Sequence, residues 1–139
     1  MCIRDRTGHV AAALLRKVHE AKQHGAGDVE IWGTGRPRRE FIHADDLADA
    51  TIHLVRHYSG ASHVNVGPGE DVTILELAET IADVVGWTGE LRLDPSRPDG
   101  TPRKVLDVSL LHALGWDGCR PLPEGLAATY EAFLRSDDT

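Results

Sequence analysis

The chain has 139 residues, of which 41% are hydrophobic and 5% aromatic, and its formal net charge is -7. This length suits one domain with a modest core. The acidic balance argues against general nucleic-acid binding, because no excess of cations is available to displace counterions. The longest aliphatic run, Val10 to Leu15, is too short to span a bilayer. The two cysteines form no paired motif, which favours a cytoplasmic location.

The first six residues, Met1 to Arg6, match none of the patterns that follow them. They have neither the apolar core nor the small-residue cleavage site of a secretory signal. We therefore predict that residues 1–6 are a non-native leader, and a native disordered tail is the alternative.

Helix and strand patterns alternate through the first half of the chain. Apolar residues at near-helical spacing predict a helix over about 8–24, and Gly25 supplies a stop. Alternating residues predict short strands at 29–32 and 40–43, with a glycine turn after the first. The helix after the second strand opens with two carboxylates, which suit a helix N-terminus. Its predicted buried face consists of Leu47, Thr51, Leu54, Val55 and Tyr58.

The second half continues this alternation. Residues 62–66 predict a buried strand, and Thr73 with Glu76 predicts a capping box before a helix that ends at Gly86. Residues 90–93 predict another strand, which precedes a short helix and a longer last helix. The alternation favours an α/β fold with too few strands for a complete doubly wound sheet. The predicted buried face of the last helix consists of Leu122, Leu126, Tyr130 and Phe133.

The segment after the first strand has the most distinctive chemistry. The strand ends in Trp32 and turns on glycines, which can present the indole at a rim for stacking on a base or sugar. Arg36, Arg38 and Arg39 follow, and each guanidinium can bind phosphate oxygens with two donors. Such a set suits a ligand with a flat base and a diphosphate. The alternative is a core tryptophan followed by a solvated basic loop.

A second cluster spans residues 98–104. A turn at Asp99 would make its carboxylate a fixed acceptor for paired donors on a base or sugar, with Arg103 and Lys104 nearby for phosphate. A plain surface turn would have much the same sequence. Because both clusters suit an anionic nucleotide, each strengthens the interpretation of the other.

Three histidine or carboxylate patterns need separate consideration. His9 opens the first helix, either as a proton donor near neutral pH or as a surface or capping residue. Asp49, His53 and His57 recur every four residues, but the outer two lie too far apart along a helix to share one ion, so no metal site is predicted. Asp45 and Asp46 could act as an acid/base dyad, although stabilisation of the helix N-terminus explains these two carboxylates better.

Taken together and in order, these motifs resemble the GDP-L-fucose synthases, a family of extended short-chain dehydrogenase/reductases. The resemblance covers about Gly8 to Arg135. It implies that residues 7–139 are the C-terminal part of such an enzyme, with an incomplete Rossmann sheet plus a small substrate-binding subdomain. The segments that carry it are His9-Val, Leu14-Leu-Arg-Lys-Val-His-Glu-Ala, Trp32-Gly-Thr-Gly, Pro37-Arg-Arg-Glu-Phe, Asp45-Asp-Leu-Ala-Asp-Ala, His63-Val-Asn-Val-Gly, Thr73-Ile-x-Glu-Leu-Ala and Pro98-Asp-Gly-Thr-Pro-Arg-Lys.

The family converts GDP-4-keto-6-deoxy-D-mannose to GDP-L-fucose by epimerising C3 and C5 and then reducing C4 with NADPH. The resemblance therefore implies an NADP-dependent epimerase and oxidoreductase, commonly a homodimer, that acts on a GDP-sugar. It implies that His9 is the catalytic histidine beside the nicotinamide of NADP. The substrate-binding residues that it implies are Lys17, Trp32, Arg39, Asp99 and Lys104.

The sequence also departs from the family. Ala11-Ala12 stands where the family has a bulkier residue and a proline, and the sequence contains no Gly-rich phosphate loop. Neither Tyr58 nor Tyr130 has a lysine four residues later, so the reductive Tyr-x-x-x-Lys pair is missing. We expect the chain to supply the GDP-sugar site and to have no turnover alone. The alternatives are another NAD(P)-dependent nucleotide-sugar epimerase or dehydratase, and a non-catalytic nucleotide-sugar-binding module.

Overall fold

The computed structural model describes residues 9–137, so the predicted leader at 1–6 lies outside the described residues. Helices and strands alternate along this part of the chain, as the sequence predicts. The elements are α1 (Val10–His24), β1 (Asp28–Trp32), β2 (Arg38–Arg39), α2 (Ala44–His57), β3 (Val72–Thr73), α3 (Ile74–Val85), β4 (Glu90–Asp94), β5 (Arg103–Lys104), α4 (Ser109–Ala113) and α5 (Leu122–Asp137).

The strands form two small sheets. In the first, β1 pairs with β4 in parallel, from Asp28 opposite Glu90 to Trp32 opposite Asp94. In the second, β2 lies between β3, to which it is antiparallel, and β5, to which it is parallel. The predicted α/β fold class is therefore confirmed.

The largest apolar cluster joins buried residues of α1, α3, α5 and β1, with α3 packed against both α1 and α5, and α1 packed against β1. Leu15 and Val18 from α1 meet Leu77 and Ile81 from α3, and all four are 0–1% exposed. Full burial of side chains of this size contributes about 1.5–3 kcal/mol each. This packing fixes β1 against the helices and so fixes the position at which the strand ends.

A capping box determines where α3 begins. The Thr73 hydroxyl accepts from the Glu76 amide at 3.0 Å, and the Glu76 carboxylate accepts from the Thr73 amide at 2.7 Å. These bonds satisfy two amide groups that the first helical turn leaves without partners. The next amide, that of Ile74, donates to the Pro37 carbonyl at 3.0 Å. The predicted cap is confirmed, and it attaches α3 to the segment that enters β2.

Two strand predictions are wrong. No strand covers 40–43, because the pairing occurs two residues earlier, at Arg38–Arg39. No strand covers 62–66 either. Side chains anchor that segment instead, as where the Asn65 amide donates to the Asp107 carbonyl at 2.9 Å.

The predicted buried face of α2 is wrong for Leu47, Thr51 and Val55, which are exposed, whereas Leu54 and Tyr58 are half-buried. Leu47 and Val55 are 42% and 80% exposed, whereas Asp46 and Ala50 are buried. The face of the helix that points inward contains Asp46 and Ala50. Asp46 binds Arg120, and Ala50 belongs to a smaller apolar cluster. Within residues 9–137, no helix combines the length and the apolar character that a membrane crossing needs.

Candidate functional site

Trp32 lies at the end of β1 with its indole 59% exposed, so the alternative of a core tryptophan is wrong. The two other tryptophans, Trp87 and Trp116, are 8% and 4% exposed. The Trp32 indole N–H donates to the Glu30 carboxylate at 3.2 Å. One large aromatic face is therefore presented at the edge of the first sheet.

Two cations lie over the Trp32 ring. The Lys17 Nζ atom, on α1, is 5.4 Å from the ring centroid, and the Arg97 Cζ atom is 5.0 Å from it. Lys17 also donates to the Glu30 carbonyl at 3.2 Å, which holds its ammonium beside the strand end. The negative face of an indole attracts such cations. Sequence reasoning missed Arg97, for which the only signal was its place between the strand end and the turn at Asp99.

Asp99 holds the glycine turn that follows Trp32. Its Oδ1 accepts from the Thr34 amide at 2.8 Å, and its Oδ2 accepts from the Thr34 hydroxyl at 2.7 Å. The side-chain and backbone hydrogen bonds from Thr34 lower the pKa of Asp99, helped by the charge of Arg36. A carboxylate has roughly four lone-pair sites, so these oxygens can still accept from a ligand.

Gly33 is required by this contact. Its φ is +85°, and a Cβ atom there would lie 2.2 Å from the Asp99 Oδ1 atom. The Gly33 amide donates to the Asp94 carbonyl at 2.8 Å, and the Gly35 carbonyl accepts from the Leu75 amide at 3.1 Å. The turn is thus anchored to β4, to α3 and to the segment around Asp99.

Arg39 and Lys104 lie side by side, since they are paired across β2 and β5. The Arg39 guanidinium donates to the Arg38 carbonyl at 2.7 Å. It also lies beside the Asp99 turn, because a Cβ atom on Gly100 would be 3.1 Å from its Nη2 atom. Within residues 9–137, neither Arg39 nor Lys104 has a carboxylate partner. These two cations therefore remain available to an anion.

Arg38 and Arg103, by contrast, are occupied. Both donate through Nε to the carboxylate of Asp71, with Arg38 at 2.7 Å. The sequence suggested both arginines as phosphate ligands, and it gave no indication of Asp71. The structure directs them to this carboxylate instead.

His9 is the residue that caps α1, and its side chain is exposed and forms no capping hydrogen bond. It precedes Lys17 by eight residues, or about 12 Å along a helix axis. None of the contacts described for residues 9–137 joins its side chain to Trp32. The structure thus brings together Lys17, Trp32, Arg39, Asp99 and Lys104, which we call the Trp32 site, and leaves His9 apart from them.

The acidic start of α2 does not form a catalytic dyad. The Asp46 carboxylate accepts from the Arg120 amide at 3.0 Å and contacts the Arg120 guanidinium at 2.6 Å. Burial by itself raises the pKa of Asp46, but the hydrogen bonds from Arg120 outweigh it, so the net shift is downward. Asp49 accepts from the Trp116 indole at 2.8 Å. No group of three histidine, cysteine or acidic side chains in the described chain is arranged to hold a metal.

A groove of about 640 Å³ lies elsewhere, between the start of α1, residues 41–47 and α5. Its lining is mainly apolar and contains Leu15, Phe41 and Leu126. None of the residues that form the Trp32 site lines it. We therefore place the candidate site at the Trp32 rim and not in this groove.

Comparison with known proteins agrees with the motifs. Residues 4–67 match the NAD dependent epimerase/dehydratase family. The probable GDP-L-fucose synthase 1 of Oryza sativa is 55% identical over 92% of this chain, and the GDP-L-fucose synthase of Escherichia coli K12 is 51% identical over 94% of it. The resemblance to the GDP-L-fucose synthases is confirmed. The chain spans 39% and 43% of the length of these two relatives.

The fold is similar as well. The crystal structure of a GDP-L-fucose synthetase from Naegleria fowleri bound to NADP superposes with a TM-score of 0.88 at 27% identity. The superposition covers 95% of this chain and 42% of that one. The chain therefore has the fold of one part of a longer epimerase-reductase.

The residues of this chain do not by themselves make an NADP site. The sequence has no Gly-rich loop to hold a pyrophosphate. His9 is the one residue that the resemblance places beside the cofactor. The exposed side chain of His9 could not bind a dinucleotide alone.

Proposed function

We propose that the chain is part of a GDP-L-fucose synthase and that the Trp32 site binds the GDP-sugar. The observation that carries the proposal is the combination of an exposed indole, two cations without acidic partners in the described part of the chain, and an anchored carboxylate along one continuous rim. GDP-L-fucose synthases with at least half of the aligned residues identical support the choice of ligand.

Each group has a role that follows from its chemistry. The Trp32 indole would stack on the base or sugar, and Lys17 would place positive charge beside it. Arg39 and Lys104 would bind the diphosphate, Arg39 with paired donors and Lys104 as a compact charge. Asp99 would accept N–H or O–H donors at a position that Thr34 fixes. Such fixed binding of the nucleotide holds the sugar within reach of catalytic groups.

The whole protein would be an NADP-dependent epimerase-reductase. Epimerisation beside a ketone requires an acid/base pair, and His9 would be the proton donor that this chain contributes. Bound NADPH would supply the hydride for reduction at C4. A cytoplasmic homodimer and a C-terminal position of residues 7–139 in the parent protein belong to the same proposal. Alone, the chain should bind nucleotide without turnover.

Titration with GDP tests the binding role, because Trp32 is the exposed tryptophan of the three. We expect saturable quenching of indole fluorescence by GDP, with weaker binding of UDP and dTDP. In Trp32→Phe the quenching should disappear while the buried Trp87 and Trp116 keep their signal. Preference for a pyrimidine nucleotide would favour another epimerase, and no saturable quenching in a folded chain would contradict the proposal.

Absorbance of NADPH tests the statement about turnover. With GDP-4-keto-6-deoxy-D-mannose present, we expect no enzyme-dependent loss of NADPH. Oxidation of NADPH by the purified chain would show that it is catalytically complete.

A further inference from the structure

The pairing of β2 with β5 places like charges opposite one another. Arg38 lies opposite Arg103, and Arg39 lies opposite Lys104. Like charges directly opposite across a strand pair are destabilising. Each strand contributes two cations, so the strand pair carries four positive charges. Their repulsion has to be offset by a nearby negative charge.

Asp71 compensates one of the two pairs. Its side chain is 6% exposed, and its two carboxylate oxygens bind Arg38 and Arg103 separately. Arg38 donates in addition to the Asp71 carbonyl at 2.9 Å. The hydrogen bonds from Arg103 and Arg38 lower the pKa of Asp71, so it is ionised at neutral pH. Asp71 directly precedes β3, so this one residue joins all three strands of the second sheet.

We propose that Asp71 is a positioning residue for diphosphate binding. By binding Arg38 and Arg103 it fixes the register of β2 and β5, and this register places Arg39 and Lys104 side by side at the rim. It acts through these strands and does not touch the ligand. The inference rests on the proposed function, because it concerns the affinity of the same Trp32 site for the diphosphate of GDP.

The sign of one substitution distinguishes this role from simple electrostatics. Asp71 is a negative charge close to a site for an anion, so neutralising it should strengthen GDP binding if charge alone mattered. A positioning role predicts the opposite, since the strands would lose the contact that holds the cation pair in place.

The test measures GDP affinity by Trp32 fluorescence in Asp71→Asn and in a matched control, Glu76→Gln. Glu76 is also a carboxylate near Arg38, at 3.8 Å, and a glutamine can keep its capping contact. We expect Asp71→Asn to weaken binding about five- to tenfold, the size of one ordinary hydrogen bond. Glu76→Gln should leave the affinity unchanged or slightly improve it.

Arg103→Lys covers the case in which Asp71→Asn does not fold. It keeps the net charge and alters an exposed side chain, but it removes the guanidinium contact with Asp71. We expect it to weaken GDP binding as well. Unchanged or tighter binding in either folded variant overturns the inference. If the unmodified chain binds no GDP, the proposed function fails instead, so the two failures are distinguishable.

Discussion

Two nearly buried aspartates, each bound to arginine, occupy different regions of the molecule. The side chains of Asp46 and Asp71 are 7% and 6% exposed. Asp46 joins α2 to Arg120 beside an apolar cluster in which Ala50 and Trp116 are 0% and 4% exposed. Asp71 lies at a small sheet among exposed cations. The same type of ion pair thus joins packed elements in one region, and in the other it is proposed to arrange charges for a ligand.

The largest expected effect separates these two roles. We expect Asp46→Ala to lower the free energy of unfolding by about 2 kcal/mol, because the amide and guanidinium of Arg120 lose their acceptor. Urea unfolding followed by circular dichroism measures this, and GDP affinity should not change. Asp45→Ala is the matched control, since Asp45 is 77% exposed and 4.0 Å from the same guanidinium. Equal losses in the two variants would remove the distinction between Asp46 and its neighbour.

A pair of glycines provides a second test of the two regions. Gly33 at the Trp32 site and Gly115 near Trp116 both have φ of +85°, so alanine at either position should cost roughly 1–2 kcal/mol of stability. Only the Cβ atom at position 33 would collide with Asp99, since nothing lies within 4 Å of one at position 115. We expect Gly33→Ala alone to weaken GDP binding. Thermal melting and fluorescence titration measure the two effects, and equal GDP affinity in both variants would argue against the role of Asp99.

The smallest expected effect is a difference between Asp46 and Glu40 in how their contributions to stability depend on pH. Because the pKa of Asp46 is lowered on folding, its stabilisation is present above the ordinary aspartate pKa of about 4 and is lost as the pH falls through the folded value. Burial raises the pKa of Glu40, against the hydrogen bond from the Leu106 amide, and its buried Oε2 atom has no hydrogen-bond partner among the residues that the structure describes. Stability associated with Glu40 is therefore lost as the pH rises through its folded pKa.

Melting temperatures between about pH 2 and 7 test this opposition in sign, because the Asp46 contribution is lost only below about pH 4. We expect the stability of Glu40→Gln relative to the unmodified chain to increase as the pH rises. Asp46→Ala should instead lose most of its deficit as the pH falls. A Glu40→Gln difference that stays constant with pH would contradict the raised pKa.

Features of the fold that depend on residues close together in the sequence were predicted correctly. The wrong predictions concern features that depend on residues far apart in the sequence. The cap at Thr73 depends on Glu76, three residues away, and it is confirmed. The buried face of α2 depends on Arg120, which is 74 residues from Asp46, and no local pattern indicates it. In the displaced strand, Arg38 likewise binds a distant residue, Asp71, which lies 33 residues later and belongs to no motif.

The candidate site shows the same division. The strand that ends before glycines left two interpretations of Trp32 open, an indole at a rim or a core tryptophan, and the structure supports the first. The two clusters predicted from sequence do meet, since Thr34 binds Asp99. Their roles in substrate binding stay predictions, as does the catalytic role of His9. Which cations remain without acidic partners could not be predicted, because that depends on where Asp71 lies in space.

The contact between Thr34 and Asp99 also has a kinetic consequence, because it joins residues 65 positions apart. Closing so long a segment costs chain entropy, and reopening it recovers that entropy. A nucleotide held between Trp32 and Lys104 would act as a reversible cross-link across this segment. Bound nucleotide should therefore slow the opening of the whole intervening chain, including α2 and α3, and protect amides far from the rim against exchange with solvent.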